Sequence, residues 1–170
     1  ALISGGYVED LHSRYVGIRK VLESNRGFLE PKHMTSALGN HLDVMTGVER
    51  VVGNTVSVVT SIKSVVFDPG IQRFWISSRN QSPTGLGDFV QIDVEKFWQE
   101  SENTLVTIPG YRPKDSCLIE GVRHYREAYR SYHMESDRPG YLYRAFLALQ
   151  KAADAYPQDG NIWIQIAIVA

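Results

Sequence analysis

The sequence predicts an α+β chain, and three changes of apolar spacing along its 170 residues predict it. Apolar side chains recur every three or four residues near the start, which is the period of a helix presenting one stripe. From about residue 54 the spacing becomes two, the period of a strand. After residue 115 the helical period returns and persists to Ala170.

In the first helix Val8, Leu11, Tyr15, Ile18 and Leu22 form the expected inner stripe, with Glu9 and Asp10 in the first turn, where negative charge suits the helix dipole. The stretch "SNRG" ends it, because Gly27 is free to adopt the left-handed conformation of a helix stop. A shorter helix follows. Pro31 suits its first position, and Met34, Leu38 and His41 or Leu42 are expected on its inner face.

In "NTVSVVTSIKSVVFD", Val56, Val58, Ile62 and Val66 alternate with more polar residues, so one long strand is expected there. "DPGI" supplies the turn, "QRFWISS" the return strand, and "DFVQIDV" a third strand after the loop "SPTGLG". Val65 and Phe67 on the first strand and Ile71, Phe74, Trp75 and Ile76 on the return put apolar residues on both faces. Such a sheet needs cover on both sides, with helices on one and a second sheet able to take the other. Trp75 is then a core or inter-layer residue.

Residues 100–115, with "IPGYRPKD", read as a linker or wrapping loop, and helices are expected over 116–135 and 141–156, joined at "SDRPG", with a third beginning beyond. Ala145, Leu149, Ala152 and Pro157, followed by Trp163, Ile166 and Ala167, have the phasing of the second helix of a tetratricopeptide repeat and the opening of the next. The preceding helix matches less well. Tyr129 and Tyr132 take large positions, but His133 stands where a small residue is usual.

Composition narrows the function classes. A formal net charge of −1 argues against a nucleic-acid surface spread over the chain. No apolar run is long enough for a membrane span, and no secretory signal opens the sequence. Cys117 is the single cysteine, which excludes an internal disulfide and a cysteine-rich zinc site and favours a cytoplasmic setting. Both ends read as cuts, so a longer parent polypeptide is expected. No cofactor is implied.

The ordered segments "RYVGIRKVLESNRGFLEPKHMTSALGNHLD" and "TVSVVTSIKSVVFDPGIQRFWISSRNQSPTGLGDFVQIDV" resemble the C-terminal half of an N-terminal-nucleophile hydrolase of the acyl-coenzyme A:6-aminopenicillanate acyltransferase and carcinine hydrolase type. The resemblance covers residues 1–98 and implies part of an αββα sandwich, an antiparallel sheet with two covering helices. The domains expected are therefore 1–99 of this type, 100–115 as linker, and 116–170 as a truncated tetratricopeptide-like segment. In such enzymes a Cys, Ser or Thr freed at the start of the mature chain attacks a linear amide or thioester, its own amino group serving as base. Residue one here is Ala1, and Cys117 lies outside the matching region. The nucleophile is thus expected on an upstream part of the same polypeptide, leaving this chain inactive alone. The helical segment would dock a protein partner, which also allows the alternative of a binding adaptor on a non-catalytic scaffold.

Three residues stand as candidates for lining a substrate cleft: His41, near Asp43, and Arg79 with Asn80 at the mouth of the hairpin. His41 with Asp43 could also form an oriented base; packing at a helix end, where its positive form suits the dipole, is the simpler reading, and a solvated strand end is that of Arg79 and Asn80. Cys117 at a helix start could carry a lowered thiol pKa, although a lone cysteine is commonly a small hydrophobe. The remaining histidines show no metal-ligand spacing. The Gly-x-Gly of "TGLGDF" does not join a strand to a helix, so it is not a nucleotide loop. Asn80-Gln81-Ser82 formally matches a glycosylation acceptor, but Pro83 follows it.

Overall fold

A computed structural model describes residues 7–78, 85–99 and 106–170, without the side chains of 7–10. Helices α1 (Tyr7–Ser24) and α2 (Pro31–Leu38) precede strands β1 (Val65–Asp68), β2 (Arg73–Ser77) and β3 (Phe89–Asp93). A short helix α3 (Val94–Trp98), a strand β4 (Thr107–Ile108), and helices α4 (Cys117–Met134), α5 (Tyr141–Ala155) and α6 (Gly160–Val169) complete the order. The architecture is mixed α+β, as predicted.

The strands form one antiparallel meander in the order β1-β2-β3-β4. Its register sets Val66, Trp75, Ser77, Phe89 and Ile108 on one face and Val65, Phe67, Phe74, Ile76, Val90 and Ile92 on the other. The first face is covered, leaving Trp75 only 4% exposed and Phe89 fully buried. The second is open: Val65 and Phe67 are exposed, Phe67 by 59%, and the other four are half-buried. The hairpin is therefore apolar on both faces, and the described part of the chain covers one of them.

Three glycines close the covered side. A Cβ on Gly39 would lie 2.0 Å from the carbonyl oxygen of Gly85, and one on Gly110 would lie 2.2 Å from the same atom. Gly85 itself has a left-handed φ of +102°. Backbone thus packs on backbone where α2 ends, with Gly110 N–H donating to Gly87 O and Tyr111 N–H to Gly85 O. Thr35 Oγ1 donates to Pro109 O across the same seam. Within the stretch read as a linker, Pro109, Gly110 and Tyr111 bond to the body, so its described part is a wrapping segment.

Several expectations are corrected. The long strand from residue 54 shortens to Val65–Asp68, because the chain before it is bent by other bonds. Gly53 and Asn54 have left-handed φ values of 79° and 55°, Ser57 N–H donates to Asn40 O, and Ser61 N–H donates to Val58 O in a turn. None of this is compatible with continuous extension. The stripe expected to face inward on α1 points largely outward: Leu11, Tyr15 and Leu22 are exposed, while Ser13 and Gly17 are buried. A Cβ on Gly17 would stand 2.8 Å from Val56 Cγ2, so α1 approaches its neighbours along its smallest residues. On α2, Thr35 and Ala37 are buried and Met34 and Leu38 only partly so.

α4 and α5 pack as an antiparallel helical hairpin with α6 against α5. Ala145, Leu149 and Ala152 are buried in the predicted phase, and Tyr125, Leu118 and Val122 meet them from α4. Trp163 departs from its expected packing role. It is half exposed, donating its Nε1–H to Pro157 O, and Ile162 occupies the core instead. Val51, from the loop after α2, belongs to this helical core. Among the described residues no helix is long and apolar enough to cross a membrane.

Candidate functional site

The densest polar cluster lies where the loop after α2 meets α6 and the wrapping segment. Its foundation is local. Asp43 Oδ1 accepts from the backbone N–H of Met45 at 3.0 Å and Thr46 at 3.4 Å, an Asx-type turn closed by Gly47 at a φ of +72°. The chain then doubles back through an isolated bridge between Leu42 and Glu49, and Arg50 N–H donates to His41 O. His41, Asp43, Glu49 and Arg50 are thereby brought together.

Arg50 links two buried carboxylates, donating from Nε to Asp43 Oδ2 at 2.8 Å and standing 3.6 Å from Asp159 Oδ1 through Nη1. Asp159 caps α6 by accepting from Asn161 N–H. Its second oxygen accepts from Val51 N–H at 2.7 Å and Val52 N–H at 3.1 Å, more than a hundred residues away in sequence. Asn161 Nδ2 returns a bond to Val52 O. Glu49 accepts from the Tyr111 hydroxyl and from Lys114 N–H, and Tyr156 donates its hydroxyl proton to Glu49 O. Every carboxylate in the cluster has donors, as buried charge requires.

These surroundings set the ionisation of each group. Burial pushes Asp43 up, but the bonds from Arg50, Thr46 and Met45 outweigh it and hold its pKa below the ordinary value. Burial and the bond to Glu49 push Tyr111 up, so it stays a phenol that donates. His41 is 1% exposed, and burial lowers its pKa to about 4 against the favourable bond to Arg50 O. The neutral ring donates from Nδ1 to Arg50 O at 2.8 Å, leaving Nε2 as a lone pair enclosed without a partner.

The cluster therefore works as a clasp. It joins the loop after α2, the wrapping segment and α6 by bonds that leave its acids saturated. His41 belongs to it, beyond the end of α2 and sealed from solvent as a neutral ring rather than as the positive form that would suit a helix dipole. Arg79, Asn80 and the formal glycosylation acceptor lie outside the described residues. Cys117 is exposed, and its thiol is raised by the Asp115 carboxylate beside it, so the helix start does not activate it. His33 is a cap, its Nδ1 accepting from Glu30 N–H at 3.0 Å, and His124 pairs with Glu127. Among the described residues no group of three or more His, Cys, Asp or Glu could hold a metal ion.

Sequence reading missed Glu49, Arg50, Tyr111 and Asp159. The signal present was two adjacent charges set among Val48, Val51 and Val52, and an Asp directly before the final helix. Comparison of the chain with family models, curated proteins and solved structures returns no match.

Proposed function

We propose that this chain is the C-terminal portion of a linear-amide hydrolase or acyltransferase of the N-terminal-nucleophile type, inactive by itself, with a tetratricopeptide-like segment clasped to it. The observation that carries the reading is the asymmetry of the sheet. One face is sealed by backbone and by α2, and the other presents Val65, Phe67, Phe74, Ile76, Val90 and Ile92, exposed or half-buried, with no covering layer among the described residues. An αββα sandwich places a sister sheet over such a face. The clasp supports the reading in a second way. Its acids and His41 are occupied in holding the chain together, and the exposed thiol of Cys117 is not activated. An upstream part of the parent polypeptide would supply the attacking group and the oxyanion donors.

The test is to express the parent gene product and determine its mature N-termini by sequencing and intact mass. A new chain start at Cys, Ser or Thr, whose substitution abolishes both processing and amide cleavage, supports the reading. A parent that stays unprocessed, with no such residue opening any mature chain, refutes it.

A second reading, a protein-binding adaptor on a non-catalytic scaffold, is favoured by the burial of Ala145, Leu149 and Ala152 in repeat phase. Exposed Leu142, Tyr143 and Leu147 on α5 would then contact the partner. Serine at these three positions should abolish partner capture by the parent while leaving its fold, followed by circular dichroism, intact. Capture that persists in the triple variant overturns this reading.

A further inference from the structure

At the turn between α4 and α5, three guanidinium groups converge on one carboxylate. Arg130 Nε lies 3.2 Å and Arg138 Nη1 3.7 Å from Glu135 Oε1, and Arg144 Nη2 lies 3.7 Å from Oε2. The Glu135 side chain is 15% exposed beneath them, whereas the arginines are 70%, 66% and 41% exposed. Arg144 also donates from Nη1 to Pro139 O, which anchors it beside the turn. The three cations share a single anion and no pair is bidentate. The other carboxylate of the turn, Asp137, makes no ion pair with them among the described contacts. Even with Asp137 counted, the turn keeps an excess positive charge, in a chain whose overall net charge is −1.

The neighbouring helix start adds to this field. α5 has no acidic residue in its first turn, and its N-cap, Gly140, has no side chain to bond the free N–H groups. The positive end of the α5 dipole thus points into the same turn. Tyr132 and Tyr141 flank it with ring centroids 6.3 Å apart.

We propose that Arg130, Arg138 and Arg144 form a binding site for a single phosphomonoester dianion, carried on a phosphorylated protein side chain or free as phosphate. Guanidinium forks match phosphate oxygens, and a dianion neutralises the excess that Glu135 leaves. The patch is confined to one turn, whereas a nucleic-acid strand needs cations tracking several phosphates. The proposal is independent of any catalytic role for the chain.

Nuclear magnetic resonance titration of the full 170-residue chain tests it, with inorganic phosphate, a phosphoserine peptide and the same peptide unphosphorylated. Saturable shifts are expected at Gly140–Arg144 with both phosphorylated probes and not with the unphosphorylated peptide. Tighter binding of the peptide assigns the source to a protein, and tighter binding of phosphate to the free ion. Substituting Arg130→Gln with Arg138→Gln, both at the surface, should weaken binding roughly tenfold or more, as expected on losing charge-assisted bonds. Glu135→Gln, which removes the competing carboxylate, should strengthen it several-fold. If the arginines merely staple the turn, phosphate produces no saturable shift and Glu135→Gln does not strengthen anything. Either result overturns the proposal, as does tighter binding of a single-stranded RNA oligonucleotide than of the phosphopeptide.

Discussion

Replacing Asp159 with Ala removes three hydrogen bonds and the ion pair with Arg50 at once, and the structure sets the scale of the loss. The α6 cap given by the bond from Asn161 N–H contributes about 1 kcal/mol. Val51 and Val52 then keep two backbone N–H groups in a largely buried setting without an acceptor, at about 1–3 kcal/mol each. Arg50 retains Asp43, so no buried cation is stranded. The expected destabilisation is about 3–7 kcal/mol, a large part of a typical domain's stability. Asp159→Asn should cost less, because its amide oxygen still accepts from Val51 and Val52 while its NH₂ opposes Arg50 and Asn161 N–H. Urea unfolding followed by far-ultraviolet circular dichroism gives the midpoint and slope, and an unchanged slope confirms that stability alone moved. Hydrogen exchange should show the Val51 and Val52 amides losing protection together with α6, while β2 and β3 keep theirs. A loss below about 1 kcal/mol, or fast exchange spread equally over the sheet, would refute the clasp as the joint between the two regions.

Three further outcomes follow from the same geometry. Gly39→Ala drives a methyl into the Gly85 carbonyl at 2.0 Å, a backbone clash no rotamer relieves, so a loss of at least about 3 kcal/mol or failure to fold is expected in thermal unfolding. The folded pKa of His41 lies at about 4, below its ordinary 6.5, so the unfolded chain takes up a proton first as pH falls. The neutral ring's contribution is complete above about pH 6.5 and is lost progressively down to about pH 4, amounting to about 3 kcal/mol. His133, at the exposed end of α4, is lowered by partial desolvation and acts in the same direction. The difference in this limb between the native chain and His41→Leu therefore isolates His41, and identical slopes would contradict its burial as a neutral ring. Phe67→Ser, on the open sheet face, should change stability by no more than about 0.5 kcal/mol, whereas Trp75→Ala on the covered face should cost about 3–5 kcal/mol. Equal losses would mean that both faces are packed within this chain.

Where local chemistry decided the structure, the sequence was readable. The stop at Gly27, with its φ of +88°, and the start of α2 at Pro31 required only neighbouring residues. So did the turn at Asp68, whose Oδ1 accepts from Gly70 N–H. The buried phase of Ala145, Leu149 and Ala152 was equally plain, because close helix pairing selects small residues at a fixed interval. Reading failed where a distant partner decided. The stretch from Asn54 has the alternation of a strand, but Gly53 and Asn54 take left-handed φ values and Asn40 O captures the Ser57 amide, a partner that nothing near Ser57 in sequence announces. α1 followed its apolar stripe on paper. Its packed side is chosen by Gly17, because Val56 can approach only where no side chain stands. Of the site, His41 and Asp43 were legible as neighbours, but not their partners, since His41 bonds the Arg50 carbonyl and Asp43 the Arg50 guanidinium.

The clasp also changes how the helical segment should be regarded. A tail joined by a linker could be cut after Pro113 without consequence for the rest. Here Val51 is a member of the α4–α5 core, the Tyr156 hydroxyl donates to the Glu49 carbonyl, and a Cβ on Gly121 would meet Val51 Cγ2 and Tyr156 Cβ at 2.9 Å each. Removing the helices would uncover Val51 and leave the half-buried Arg50 with one of its two carboxylates. The two regions therefore share a core, and a partner held by the helices would be held at a fixed distance from the sheet. That coupling favours a helical segment that positions something relative to the α/β body over one that tethers it loosely. It also means that deleting the segment would disturb the α/β body, whereas substitutions at exposed residues of α5 such as Tyr143 would leave the shared core in place.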